Sequence, residues 1–422
     1  MATSPFKGLP REVAVLVAVA VAVAIGFGVV APAIPEFARS FGVGKTAAGA
    51  VVSAFALMRF VSALGGGKLV DAFGERIILA SGIGIVAVST GLAGLSQNYE
   101  QLLLLRGVGG IGSAMFTVSA SSLLFRVVDN SSRGRATGLF QSGFLIGGLL
   151  GPLAGGFLTD YSLRLPFFVY AVSLIAAGSI GAIFLQSAAH RDRELAESEA
   201  DTAQPRPVSI ESASTSLAEA WAHPAYRAAV IVNFAIGWAL FGVRMSLIPL
   251  FVTEAMNQRV LWVGVGFLCS SLAQATSLVV AGRFVDRAGR RPAMIIGSVV
   301  VGASLAALSL STSLALFLTA MTASGVGGAF IGTAPGAVVG DVMRGRGGKV
   351  VAVFQMASDA GAITGPLVAG WLADSVSFSA ALATSSAVLF MATWAAWRMP
   401  ETLASITDRY AGPRSEAEVE QE

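Results

Sequence analysis

The feature that most constrains this chain is a series of stretches that run 23 to 25 residues without a charged side chain or histidine. Six lie between single polar ends: Glu12 and Glu36, Arg76 and Glu100, Arg135 and Asp160, Arg164 and His190, Arg259 and Arg283, Asp374 and Arg398. A helix that crosses hydrocarbon needs about 20 apolar residues. Every backbone N–H and C=O in lipid must be bonded internally, so runs of this length can span only as helices. The run from Arg291 to Asp341 holds 49 residues, enough for two helices turning at Ser311, Thr312 and Ser313. Four further runs each contain one internal charge: Arg59, Arg106, Arg244 and Asp359. The expected fold is an all-α membrane protein with twelve transmembrane helices. They fall near 13–35, 46–67, 77–96, 101–122, 136–158, 165–187, 228–253, 260–281, 293–310, 314–340, 350–372 and 378–397.

Composition closes the alternatives. Charged residues make up 13% of the chain and hydrophobic residues 55%, against about 25% charged in soluble domains. A water-soluble fold, a disordered chain, a coiled coil and collagen are all excluded. The net charge of +3 comes from Lys and Arg scattered through short loops, which does not suit nucleic acid. Cys269 is the only cysteine, and His190 and His223 share one polar segment. No disulfide within the chain, metal site or cofactor is expected. The nucleotide-binding pattern Gly-x4-Gly-Lys-Ser/Thr is absent, so ATP drive by this chain is not expected.

With the N-terminus inside, 21 of the 28 Lys and Arg fall on the cytoplasmic side, as the positive-inside rule requires. Both termini are then cytoplasmic. The first apolar run is too long for a signal-peptide core and is expected to stay.

The chain repeats itself at a nearly fixed offset. Phe27-Gly28-Val29 with Ile34-Pro35 and Phe37 recurs 214 residues on as Phe241-Gly242-Val243 with Ile248-Pro249 and Phe251. Gly67, Asp71, Gly74 and Arg76 recur 215 on as Gly282, Asp286, Gly289 and Arg291, and Gly110 and Gly112 as Gly325 and Gly327. Phe140-Gln141, Gly147, Gly151-Pro152, Gly156 and Asp160 recur 214 on as Phe354-Gln355, Gly361, Gly365-Pro366, Gly370 and Asp374. Four blocks in one order mean six helices duplicated in parallel about an axis along the membrane normal. The expected halves are 1–187 and 228–397, joined by a Glu-, Ser- and Pro-rich cytoplasmic linker at 188–227, with a cytoplasmic tail at 398–422. Ser216–Trp221 is expected to form a short surface helix.

These residues resemble a known family. Gly67-Lys-Leu-Val-Asp71-Ala-Phe-Gly74-Glu-Arg76 and Gly282-Arg-Phe-Val-Asp286-Arg-Ala-Gly289-Arg-Arg291 look like the loop between helices 2 and 3 of the major facilitator superfamily, and its repeat. Arg106 with Gly110 and Gly112 resembles the helix 4 motif. Gly138, Gly147, Gly151-Pro152 and Gly155-Gly156 are similar to the helix 5 motif of the drug:proton antiporters. The resemblance covers about residues 13–397. It implies a secondary transporter working by alternating access. It also implies that the loop cluster locks the outward-open state, with Asp71 near the helix 11 N-terminus, and that Arg106 takes part in proton coupling. Glu75 in the first loop, where the second has Arg290, is expected to weaken that cluster.

Beside the resemblance stands the physical reading. Gly67 and Gly282 allow close helix approach, and Gly74 and Gly289 tight reversal. Gly147, Gly151 and Gly155 fall on one face of helix 5, beside Pro152 and Gly156, and are expected to form a rocking seam against helix 8. A charge near the bilayer centre costs about 2.5–3.5 kcal/mol on insertion scales, so such residues face a bundle interior or cavity. Asp359 is the one carboxylate at that depth and the candidate proton carrier. Arg59, at comparable depth on a helix that adjoins it in the superfamily fold, is its expected partner. Candidate cargo contacts are Arg59, Arg244, Gln274, Gln355, Gln141, Asn233, Trp238 and Phe27. Three Arg against one Asp favour anionic or zwitterionic amphiphiles.

The expected function is export of a small amphiphile in exchange for protons, with a multidrug efflux role, from the bacterial inner membrane. The expected partners are the cargo, protons and lipid, and the expected state is a monomer. A uniporter or symporter of a sugar, organic anion or lipid is the alternative. An intramembrane enzyme or receptor is the remote one, since no catalytic or ligand-spaced cluster lies in the helices.

Overall fold

The computed structural model describes residues 9–128, 132–200, 215–343 and 348–403. Within helices, the side chains of Gly66, Gly67, Asp71, Phe125, 133–135, Leu145, Ile146, Leu150 and 185–200 lie outside the described set. The chain is helical throughout the described residues, with twelve spans. In the first half these are α1 (Arg11–Arg39), α2 (Lys45–Phe73), α3 (Glu75–Gly94), α4 (Tyr99–Val127), α5 (Arg133–Tyr161) and α6 (Leu165–Ala200). In the second they are α7 (Pro224–Ala255), α8 (Leu261–Arg287), α9 (Arg290–Leu310), α10 (Leu314–Val342), α11 (Gly348–Ser375) and α12 (Phe378–Arg398).

The 49-residue run turns at Ser311–Ser313 between α9 and α10, as its length requires. The surface helix is Leu217–Ala222, with the Ser216 hydroxyl accepting from the Glu219 N–H at 3.2 Å, the usual N-cap arrangement. α6 continues as helix to Ala200, beyond the expected end at 187. Residues 201–214 of the linker and 404–422 of the tail lie outside the described residues.

Two hydrophobic clusters form, one almost wholly of first-half residues and one of second-half residues. Large apolar side chains stay exposed all round the bundle, among them Val88, Leu104, Val172, Val279 and Met391. In lipid that exposure carries no hydrophobic penalty. Within each half the repeat packs alike. Gly151 lies against Gly28 of α1, and a Cβ there would stand 2.5 Å from the Ile25 carbonyl. Gly365 and Gly361 lie in the same way against Trp238 of α7.

Gly147, Gly151 and Gly155 therefore all face α1, not α8. The face turned to α8 is the next one round, at Gly148, Pro152 and Gly156. A step of one residue turns a helix by about 100°, so the four-residue spacing was sound and the neighbour assigned to it was not.

Candidate functional site

The halves meet along two seams related by the repeat, α5 on α8 and α11 on α2. At each, a proline carbonyl approaches a glycine of the other half. A Cβ on Gly264 would stand 2.5 Å from Pro152 O, and one on Gly49 2.5 Å from Pro366 O. Gly156 follows against Gly264, and Gly370 against Lys45 and Thr46. At the helix ends sit the two recurring aspartates. Asp374 accepts the N–H groups of Lys45 and Thr46 at 2.8 Å each and the Thr46 hydroxyl at 2.7 Å. Asp160 accepts the Leu261 N–H at 3.4 Å and pairs with Arg259 at 2.8 Å. Each carboxylate caps the first turn of a helix from the other half, where unpaired N–H groups and the helix dipole favour an anion. The same end carries Arg39–Glu254 at 2.6 Å and the Thr253 hydroxyl on Glu36 at 2.6 Å.

Deeper along the seams come Ser53 to Ile363 O at 2.7 Å, Arg59 to Asp359 at 2.6 Å, and Ser271 to Gly148 O at 3.1 Å. Past these, no hydrogen bond or ion pair joins the halves among the described residues. A Cβ on Gly65, Gly138, Gly282 or Gly336 would meet nothing within 4 Å. The molecule thus has a cleft, shut at the end of Asp160 and Asp374 and open at the end of the glycine loops. Gly282, expected to bring helices together, stands in open space in this state.

This geometry gives a steric prediction. Leucine at Gly264 or at Gly49 has only backbone to push against, so each should hold the shut end apart. Spin labels across that end should report a longer distance for both variants, and Gly282→Leu should leave it unchanged. Equal distances in all three would refute the seam assignment.

The cleft holds Arg59, with its side chain 43% exposed, bonded to Asp359 at 21%. Gln355 lies one turn before Asp359 on the same face, and Gln141 two turns before the seam residue Gly148; both are exposed. Gln274 is one turn past the seam residue Ser271 and half-buried. Arg59 and Asp359 meet, with Gln355 on the same face one turn away, while Gln141 lies on the other seam and Gln274 near Gly328 of α10.

The other candidates do not join them. Arg106 is 2% exposed inside the first half, its guanidinium 4.5 Å from the Phe55 ring centre. Arg244 is 5.0 Å from the Phe267 ring and lines a small enclosed cavity between α7, α9 and α10 with Ser304, Met321 and Ser324. The Asn233 amide donates to Phe354 O at 2.7 Å and the Trp238 indole to Ser385 at 3.1 Å, both buried in the second half. Phe27 packs on Phe55 and Tyr170 at 6.4 Å each. Depth along a helix follows from counting residues, but the angle around it does not. In α7 the difference is large, because Gly237–Val243 is π-helical. A π-helical turn shifts the register of every residue after it, Arg244 included. The excess of three Arg over one Asp is therefore absent from the cleft, where Arg59 already has its counter-charge.

The loop motif appears at the open end. Gly74 and Gly289 take φ values of 81° and 115°, the left-handed region that favours glycine. Gly67 and Asp71 lie outside the described side chains. In the second loop the buried ion-pairing residue is Arg290, not Arg291. Arg290 bonds Asp341 at 3.0 Å and Asp286 at 3.5 Å, while Arg291 offers its backbone N–H to Glu401 at 3.0 Å. In the first loop Glu75 pairs with Arg126 at 3.2 Å. Positions 75 and 290 are repeat-related, and so are 126 and 341. The two halves carry one ion pair with its charges exchanged. Glu75 is a member of that pair, not a weakness in the cluster.

The sequence profile of the Major Facilitator Superfamily matches residues 16–270 and 245–418. Multidrug resistance protein 1 of Bacillus subtilis (strain 168) is 24% identical over 94% of this chain and 98% of its own length. Quinolone resistance protein NorA of Staphylococcus aureus (strain MRSA252) is 28% identical over 39% of this chain and 43% of NorA. In fold, the chain is similar to a bacterial homologue of the human lysosomal transporter Spinster, solved inward-facing and unoccupied. The TM-score is 0.71 at 16% identity, over 96% of this chain and 98% of that one.

Proposed function

The chain belongs to the Major Facilitator Superfamily, and from that premise we propose that this multi-pass transporter exports small amphiphilic molecules in exchange for protons. The observation that carries the reading is the Arg59–Asp359 pair, which spans the two halves at 2.6 Å where the shut seam gives way to the cleft. A carboxylate there can hold either a proton or a guanidinium. Binding a proton frees Arg59, and releasing it restores the bond, so protonation and seam contact are linked. The names of the multidrug- and quinolone-resistance relatives support export of foreign small molecules.

On the orientation given by the Lys and Arg distribution, the shut end is external and the present state inward-facing. The loop cluster of Asp71, Arg76, Asp286 and Arg291 then belongs to the opposite, outward-open state as its lock. Gln355 offers an amide one turn from Asp359, and Gln141 and Gln274 add amides from the α5–α8 side. That suits an amphiphile with a polar head of either sign, and the anion preference expected from charge counting is withdrawn.

The test is transport in proteoliposomes with an imposed pH difference. Cargo should accumulate against its gradient on the acidic side, and dissipating the pH difference should abolish accumulation. Movement that ignores the proton gradient in both directions would establish the uniporter reading instead.

A further inference from the structure

The shut end gathers three carboxylates, Glu36, Glu254 and Asp374, around two cations, Arg39 and Lys45. Their partners are divided unevenly. Glu254 takes Arg39 at 2.6 Å and Lys45 at 3.5 Å. Asp374 takes two backbone N–H groups at a helix start, with Lys45 at 3.7 Å. Glu36 receives the Thr253 hydroxyl alone among the described contacts. Arg39 lies one turn on, but its Nε is on Glu254 and its Nη1 on Val43 O. Of the other charged groups at this end, Arg164 stacks on Phe37 at 5.5 Å and donates to Ser96 O at 3.1 Å, and Asp160 is paired with Arg259. The closed cluster therefore holds three acids to two cations, and Glu36 is the one with no salt bridge among the described residues, because Arg39 is bonded to Glu254.

The hydroxyl contact fits a bound proton. Thr253 Oγ1 lies 3.2 Å from Pro249 O as well as 2.6 Å from Glu36 Oε1. A hydroxyl has one proton to donate. Donated to Glu36, that proton holds the ionised carboxylate; turned to Pro249 O or Leu250 O, it leaves the Thr253 oxygen free to accept a proton carried by Glu36.

We propose that Glu36 is a proton-binding site of the shut seam. It takes a proton from the solvent at that end as the seam closes, forming a carboxyl O–H held by Thr253. The O–H bond breaks and the proton returns to the same solvent when the seam opens. A half-buried carboxylate held by one neutral hydroxyl loses solvent as the seam closes, so closing favours proton uptake, and by linkage acid favours closing. With that end external, acid outside drives the molecule toward the inward-facing form. The proton does not cross, so the exchange ratio is unaffected. The site rests on the orientation in the functional reading but not on proton exchange through Asp359.

The test uses the full chain in nanodiscs without cargo, with spin labels across the shut end, titrated from pH 8 to pH 5. The shut population should rise as pH falls, by no more than about tenfold in the equilibrium per pH unit, the limit for one proton. Glu36→Gln should be shut across the range, with the pH response gone. Glu254→Gln removes one acid from the cluster and should move the midpoint to lower pH. Asp359→Asn should leave the titration in place. The proposal is overturned if wild type shows no pH response, if Glu36→Gln titrates like wild type, or if Asp359→Asn alone abolishes the response. A seam that titrates through Glu36 in a protein that shows no proton-driven transport would uphold this site and sink the exchange reading.

Discussion

Asp359→Asn is expected to reduce proton-driven accumulation of cargo to simple equilibration while leaving cargo binding measurable. Arg59 and Asp359 sit where the α2–α11 seam loses its last bond, 2.6 Å apart and only partly exposed. An unpaired charge at membrane depth costs about 2.5–3.5 kcal/mol on insertion scales, so neither residue is stable there alone and ionised. Pairing removes the cost in one state of the seam, and protonation of Asp359 removes it in another. Asparagine keeps the shape and an acceptor oxygen for Arg59, but it can neither ionise nor accept a proton at transport pH. The Arg59 contact is then the same at every pH, and the proton gradient has nothing to act on at that point of the seam. Counterflow of labelled cargo should survive, because it needs only alternating access. Asp359→Glu, which keeps the titratable group, should retain coupling at a reduced rate. Accumulation by Asp359→Asn at the wild-type level would remove this residue from the proton path.

The fold and the pair were legible in the sequence for a simple reason. Run length fixes helix number, and residue count along a helix fixes depth, so twelve spans and the matched level of Arg59 and Asp359 follow from counting, while the adjacency of their two helices was implied by the family resemblance. Rotation about the helix axis was not legible. Gly147, Gly151 and Gly155 had the right spacing but the wrong neighbour. Arg244 was expected at a bundle interior or cavity, and it lies inside the second half beside Phe267 and not in the cleft between the halves. The two seam aspartates, Asp160 and Asp374, appeared in the repeat as identical residues at offset 214. Their role depends on the N-terminus of a helix about 100 or 330 residues away, by the chain separations of 101, 328 and 329, and no local pattern reports that. Gly49 and Gly264, at offset 215, carried the signal for the seam and lay outside the family motifs. The exchanged ion pair leaves no mark in a repeat of identical residues, because both of its members reverse sign.

That exchanged pair yields the largest expected change in stability. In the second half Arg290 and Asp341 are buried, with side chains 11% and 9% exposed, and bonded at 3.0 Å. Arg290 also donates to Val285 O at 2.6 Å, and Thr402 bonds Asp341 at 2.7 Å. Removing one member of a buried, hydrogen-bonded pair leaves a charge without compensation and typically costs about 3–5 kcal/mol. Arg290→Met and Asp341→Asn should each destabilise the purified protein by that order, read as a lower thermal midpoint in detergent. The first half shows that the same positions accept the opposite polarity: Glu75 and Arg126 pair at 3.2 Å. In that half Arg126 is 52% exposed, so breaking the pair there should cost less, about 1 kcal/mol or below, as exposed pairs do. The double variant Arg290→Glu with Asp341→Arg copies the first half's polarity into the second. It should recover a large part of what Arg290→Glu alone loses, while leaving Val285 O and Thr402 with altered partners. A double variant no more stable than the worse single one would mean that the two pairs are alike in position only, and that Arg290 is held by Val285, Asp286 and Glu401 more than by Asp341.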